Sequence, residues 1–139
     1  MEASYPRIYI YKRIVHSRLF IDAHFNEDID LDNISGEACF SKFHFIRLFK
    51  SIYGSTPHQY LTRVRIEQAK LLLQQGIPVS EACFRVGFDS VSSFTGRFRK
   101  FYGMSPSEWQ QHWKSRQQQI SKNPFRFIPH CFAQHFSFQ

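Results

Sequence analysis

Two short segments concentrate basic side chains and contain no acid. Residues 42–53 (KFHFIRLFKSIY) carry Lys42, Arg47 and Lys50, and residues 90–102 (SVSSFTGRFRKFY) carry Arg97, Arg99 and Lys100. Such side chains neutralise phosphates, and arginine can also grip a guanine edge with two hydrogen bonds. A carboxylate in either segment would repel a phosphate backbone. The acids lie outside both segments, Asp28, Asp30, Asp32, Glu67 and Glu108 among them. The chemistry on offer is therefore recognition of a polyanion. Paired carboxylates, a glycine-rich phosphate loop and a nucleophile motif are all missing from the sequence.

The whole chain has the same bias. Its 139 residues hold 18 Lys and Arg against 11 Asp and Glu, a formal net charge of +7. A small domain this basic is built to meet nucleic acid or another anionic surface. Hydrophobic residues make up 42% of the chain, with 16 Phe among them, which is enough to bury a core and excludes a disordered acidic chain. Three cysteines, Cys39, Cys83 and Cys131, show no C-x-x-C spacing. The odd count argues against a disulfide framework and for a reducing cytoplasm. Glu2, Pro6, Arg7, Lys12 and Arg13 break up any apolar run that would make a signal peptide, and no stretch reaches the roughly 18–20 apolar residues of a membrane span. Met1 and a coherent leader suggest a complete chain.

An internal repeat positions the two basic segments. The first copy runs from Leu31 to Leu61 and the second from Val79 to Gln110. Phe40 pairs with Phe88, Phe45 with Phe94, Phe49 with Phe98, Tyr53-Gly54 with Tyr102-Gly103, and Thr56-Pro57 with Ser105-Pro106. The second copy has one extra residue in its turn, near Asp89. Each copy reads as a short helix, a tight turn and a longer helix. In the first, Leu31, Ile34, Ser35 and Ala38 form the short face, Cys39-Phe40-Ser41 the turn, and Phe45, Leu48, Phe49 and Ile52 the inner face of the longer helix. In the second, Val79, Ala82, Cys83 and Val86 lead into Gly87-Phe88-Asp89. Gly54 and Gly103 stop the longer helices. Thr56-Pro57-His58-Gln59 and Ser105-Pro106-Ser107-Glu108 are both capping boxes.

Around this repeat, residues 1–8 read as a leader broken by Pro6, and a helix is predicted from about Tyr9 to Asn26. Asp28, Asp30 and Asp32 suit a loop and a helix start. Residues 57–74 are predicted to form one connector helix with a wide apolar arc of Leu61, Val64, Ile66, Ala69, Leu72 and Leu73, as suits a helix covered from two sides. Arg65 falls inside that arc and must emerge at an edge or find a partner. A connector of about 17 residues spans roughly 25 Å, and with part of each unit it brings the longer helices to about the 34 Å between successive major grooves. From residue 116 to 139 the chain becomes a glutamine- and phenylalanine-rich tail, with Gln117, Gln118 and Gln119 frayed or solvated.

Taken together, the two copies, the connector LTRVRIEQAKLLLQQG and both caps resemble the DNA-binding domain of the AraC/XylS family of transcription regulators. The carriers are SKFHFIRLFKSIYGSTPHQYL and VGFDSVSSFTGRFRKFYGMSPSEW, and the match covers about Val15 to Trp113. The resemblance implies an all-α fold of two helix-turn-helix subdomains, homeodomain-like tandem units at about 31–54 and 79–103, within a domain spanning 9–115. It implies promoter DNA as partner, contact with RNA polymerase, and no cofactor. Carried over by position, the DNA-contacting residues are Ser41, Lys42, Phe43, Ile46, Arg47 and Lys50 in the first unit, and Ser90, Val91, Ser92, Thr95, Arg97, Arg99 and Lys100 in the second. Arg47 matches the family's arginine, and Phe43 and Ile46 face thymine methyls. The second unit departs from the pattern: Gly96 holds the usual arginine position and Arg97 follows. Direct reading by that unit is in doubt, and Ser90, Arg97, Arg99 and Lys100 can serve as a phosphate clamp.

Two other readings stay open at this stage. Proteins related to this family include alkyl-transfer repair enzymes with a metal-bound cysteine. Here His130, Cys131 and His135 offer only a loose trio, poor in spacing and ligand count. A non-specific basic interaction module would show no preference among duplexes. On DNA the chain is expected to act as a monomer, with a dimer through the tail as the alternative.

Overall fold

The computed structural model describes residues 5–30, 32–34 and 41–129. They form helices without a strand among them: α1 (Tyr5–His24), α2 (Lys42–Tyr53), α3 (Pro57–Gln74), α4 (Val79–Arg85), α5 (Val91–Tyr102) and α6 (Pro106–Lys122), then a 3₁₀ turn at Pro124–Phe127. The fold is the all-α arrangement expected from the repeat, with α2 and α5 as the longer helices of the two units. Residues 32–34 are helical, but Leu31, Ser35, Ala38, Cys39 and Phe40 lie outside the described residues, as do His130, Cys131 and His135.

Several helix ends follow from local chemistry. The hydroxyls of Ser41 and Ser90 accept hydrogen bonds from the third residue along, His44 N at 3.4 Å and Ser93 N at 3.2 Å. Gly54 and Gly103 end α2 and α5 in left-handed conformation, at φ 74° and 75°. Both capping boxes are formed: Gln59 N–H donates to Thr56 Oγ1 while Thr56 N–H donates to Gln59 Oε1, and Glu108 and Ser105 repeat the exchange. Ahead of α2, Asp30 and Asn33 make a similar reciprocal pair at the start of the helical turn 32–34.

Helix α1 starts at Tyr5, four residues before the predicted Tyr9. Proline in a first turn removes an N–H that has no helical acceptor anyway, so Pro6 does not break this helix. At the other end, α6 runs through the three glutamines to Lys122; they are solvated but helical. Asn123 leaves the helix at φ −148°, and the Arg116 guanidinium then lies 6.0 Å from the Phe127 ring, drawing the 3₁₀ turn back along α6.

The apolar side chains divide between two cores. Ile14, Ile21, Ile34, Phe45, Phe49, Tyr60 and Leu61 make the first; Ile66, Ala69, Leu73, Ala82, Cys83, Val86, Phe94 and Phe98 make the second. Fully burying each phenylalanine is worth about 2–3 kcal/mol. Inside the cores the repeat is reproduced ring by ring. Phe45 and Phe49 stand 5.8 Å apart, as do Phe94 and Phe98; Phe49–Tyr53 and Phe98–Tyr102 are both 4.8 Å. Tyr60 closes the first cluster where Trp109 closes the second. Ile52, placed on the inner face of α2 by its spacing, is instead an exposed side chain. It sits in the last turn of the helix, where Tyr53 rather than Ile52 packs against the core and against Tyr60 of α3.

Helix α3 contacts α1, α2, α4, α5 and α6, and its buried side changes core along its length, from Tyr60 and Leu61 to Ile66, Ala69 and Leu73. Phe25 packs against both cores. Arg65 resolves its position in the apolar arc here. Its Nε donates to Phe25 O at 2.6 Å and its Nη2 to Glu27 O at 2.8 Å. Burial lowers the Arg65 pKa, against which Asp89 and Asp28 act to raise it. Gly87, at φ 98°, lies under this contact: a Cβ there would stand 2.9 Å from Phe25 O and 3.0 Å from Arg65 Nε. Gly87→Ala is therefore expected to cost about 3 kcal/mol, combining backbone strain with displacement of the guanidinium. Gly54→Ala has open space and should cost only about 1 kcal/mol. Urea unfolding of the two variants checks the difference.

The second capping box contains a titratable group. Hydrogen bonds from the Ser105 backbone and side chain, with help from Arg99 and His112, hold the Glu108 carboxyl below its ordinary value of 4.5. A folded pKa below the unfolded one gives stability that is complete above pH 4.5 and lost as pH falls through the lower folded value. The carboxyl carbon of Glu108, followed by NMR, should titrate below 4.5. Titration at or above that value would contradict the cap.

Candidate nucleic-acid interface

Helices α2 and α5 bury one phenylalanine pair each and leave their other sides to solvent. On α2, Phe43 is 77% exposed, so core packing does not account for it. Arg47 and Lys50 are exposed and Ile46 is half-buried, close to Phe43 on the outer side of the helix. Arg47 makes no ion pair among the described residues. Lys42 Nζ stands 3.2 Å from Asp32 Oδ1, both side chains largely exposed. An exposed pair of this kind contributes at most about 1 kcal/mol, little enough for a phosphate to displace the aspartate.

On α5, Val91 and Ser92 are exposed and Thr95 is half-buried. Gly96 faces open space, with nothing within 4 Å of the position its Cβ would take. Arg97, Arg99 and Lys100 are all exposed, but they do not form one cluster. Arg99 acts on Glu108 at the start of α6. Arg97 and Lys100 border a cleft toward α3, which they line together with Ser55, His58, Gln59, Thr62, Arg63 and Phe101. Sequence reasoning missed Arg63 and the polar residues of this cleft. The available signal was Gln59, Thr62 and Arg63, polar at i, i+3 and i+4 on the helix that also carries the apolar arc.

Cys83, the one cysteine among the described residues, is buried, and burial pushes its thiol pKa up. A buried protonated thiol is a poor nucleophile and a poor metal ligand. The described residues contain no group of three or more metal-ligating side chains, and none of their helices is long and apolar enough to cross a membrane.

A family profile described as a helix-turn-helix domain matches residues 34–112. The chain is 40% identical over 92 residues to the probable transcriptional regulator LumQ of Photobacterium leiognathi, covering 66% of this chain and 37% of that protein. It is 33% identical over 90 residues to the transcriptional activator AarP of Providencia stuartii, covering 64% of this chain and 67% of AarP. Among solved structures, the DNA-binding domain of the global transcriptional factor AdpA, crystallised with a target DNA, superposes with a TM-score of 0.73 at 31% identity, over 76% of this chain and 96% of that domain. The chain belongs to the AraC/XylS family of transcription regulators. It spans 37% of LumQ and 26% of the Bacillus subtilis regulator YbfI, so it corresponds to one part of such longer relatives.

Within the AraC/XylS domain the two units agree in architecture and differ on their outer faces. Phe43, Ile46 and Arg47 of α2 stand where α5 has Ser92, Thr95 and Gly96, whereas Lys50 and Arg99 are basic in both. A glycine inside a helix with free space around it is a local weakness. Gly96→Ala is expected to stabilise the fold by about 1 kcal/mol, measured by chemical denaturation. A loss of stability would mean that the backbone at Gly96 is constrained by a neighbour.

Proposed function

We propose that the chain is a sequence-specific DNA-binding transcription regulator that sets α2 and α5 into successive major grooves of a promoter. One observation carries the reading: two helices with matched N-caps, matched glycine stops and acid-free, solvent-facing surfaces are mounted on a single connector. The likeness to the AdpA domain, solved on its target DNA, supports the same use of the same fold.

The chemistry of each helix suggests its share of the work. Arg47 is the reader of a guanine edge, and Phe43 and Ile46 supply apolar contact for thymine methyl groups. Lys42, Lys50, Arg97, Arg99 and Lys100 neutralise phosphates. Ser41 and Ser90 hold helix N-termini whose free N–H groups favour a phosphate nearby. In the second unit Val91, Ser92 and Thr95 are the side chains available to base edges, and with glycine at 96 that unit contributes more affinity than sequence information. Having both units in one chain lets a monomer span two grooves. Promoter DNA places the chain in the bacterial cytoplasm, with RNA polymerase as its partner in regulation.

Selection of duplexes from a random pool tests the reading. The chain should enrich a bipartite site with half-sites one helical turn apart, and its affinity should fall with salt at a log–log slope of about −0.9 for each phosphate contacted. Arg47→Ala should weaken binding to the selected duplex by about 1–3 kcal/mol and relax base choice at one position, while leaving binding to scrambled DNA nearly unchanged. Equal loss on selected and scrambled duplexes would make Arg47 a phosphate contact. Failure to enrich any sequence would reject specific recognition.

A further inference from the structure

The cleft between α3 and α5 has a volume of about 390 Å³, within the range of small-molecule sites. Three cations, Arg63, Arg97 and Lys100, line it, and no acid does. None of the three forms an ion pair among the described residues, unlike Lys42 with Asp32 on the first reading helix. Arg63 is held in place by its stacking 5.2 Å from the Tyr60 ring centroid. Ser55 is also a lining residue, and its Oγ is buried with no hydrogen-bond partner among the described residues. Buried hydroxyls are almost always paired, so an orphan one at a cationic cleft points to a missing acceptor. Phe101, 44% exposed, gives the cleft an apolar wall.

The duplication provides an independent control. The positions of the first and second units that match Arg97, Lys100 and Phe101 are Leu48, Ser51 and Ile52; those that match Ser55 and Arg63 are Met104 and His112. Folding a unit of this kind therefore requires neither the three cations nor the serine. They occur together only where the first unit's cap meets the second unit's reading helix.

We propose that this cleft is a binding site for a small organic anion, a carboxylate on an apolar body, and that its occupant competes with DNA for Arg97 and Lys100. The carboxylate accepts from Arg63, Arg97, Lys100 and the Ser55 hydroxyl, and the apolar body lies on Phe101. Charge-assisted bonds in a partly desolvated cleft are the strong kind. The competition rests on the DNA reading given above; the anion site itself does not.

Benzoate is the probe, titrated at constant ionic strength into the isotope-labelled full chain, with benzyl alcohol and inorganic phosphate as parallel arms. Saturable amide shifts confined to residues 55–63 and 97–101 are expected with benzoate and not with benzyl alcohol. Arg63→Gln and, separately, Ser55→Ala should each raise the dissociation constant about tenfold without altering the rest of the spectrum. Saturating benzoate should then release the selected duplex from the parent chain and not from Arg63→Gln. The absence of saturable shifts, or equal benzoate affinity in both variants, would overturn the site. Phosphate binding with benzoate silent would overturn the organic-anion assignment and make the cleft a seat for a DNA backbone phosphate. Benzoate binding with the duplex retained would overturn the competition. The titration contains no DNA, so failure of the DNA reading cannot be mistaken for failure of the site.

Discussion

The contact of Arg65 with the backbone of the α1 end sets how the two halves of the molecule stand to each other. One guanidinium, carried on the connector, donates to Phe25 O and Glu27 O, and Gly87 of the second unit provides the room for it. Carrying a charge into a partly desolvated position is costly, and here two carbonyl acceptors and the fields of Asp89 and Asp28 offset the loss of water. Arginine suits the position because its guanidinium holds its charge in proteins and presents its donors in a planar fork. The contact thus joins three elements at one point: the end of α1, the middle of α3 and the turn between α4 and α5. Phe25 packing against both cores reinforces the same junction. Reading two grooves at once needs a fixed angle between α2 and α5, and the connector alone, gripped only by its apolar arc, would leave that angle to side-chain packing.

Above this junction, each unit solves its folding problem locally and in the same way. A serine starts the longer helix, two phenylalanines fill the core, a tyrosine stacks behind them, and a left-handed glycine stops the helix before a hydroxyl–proline box starts the next. The ring separations agree to within about half an ångström between the copies for every matched pair, from 5.8 Å at the phenylalanines to 6.2 and 6.5 Å at the closing rings. Cations cover the tyrosines in both, Arg18 over Tyr53 at 5.1 Å and Lys70 over Tyr102 at 5.3 Å. In the first unit this cation also belongs to a chain of polar contacts, with Arg18 Nε donating to the Tyr60 hydroxyl and that hydroxyl donating to Asp22. It fastens α1 to the connector, and in the second unit Trp109, at the position of Tyr60, carries no hydroxyl to do the same.

What could be read from the sequence follows this division between local and distant causes. Capping boxes, glycine stops and paired phenylalanines act within a few residues, and all appear as expected in the described residues. Arg65 could be recognised as an anomaly in its arc, but its acceptors are backbone carbonyls some forty positions earlier, which no spacing rule reports. The early start of α1 was hidden by treating Pro6 as a breaker, when the first turn is the one place a helix accepts proline. Ile52 was misplaced because helical period alone does not say which side chain of a last turn its neighbours cover; here it is Tyr53. Arg63 and Ser55 belong to a cleft made by two elements, so their convergence exists only after folding.

The remaining asymmetry between the copies is the most informative part of the surface. A duplicated domain carries its own internal comparison: what each unit needs for its own core appears twice, and what appears once answers either to the junction between the halves, as Arg65 does, or to something other than folding. By that criterion the difference between Phe43, Ile46 and Arg47 on one longer helix and Ser92, Thr95 and Gly96 at the matching positions of the other is the ground for proposing unequal roles in recognition. Lys50 and Arg99, basic in both, are the matched pair to which the proposal gives a shared part in affinity. Arg97 and Lys100 fall on the single-copy side, and they point into a cleft with Arg63 as well as lying on a reading helix. Side chains placed between a groove and a pocket can serve only one anion at a time. A regulator built this way would carry its sensitivity to a small anion within the DNA-binding unit itself, through competition for charge, with no change in the angle that Arg65 holds between the halves.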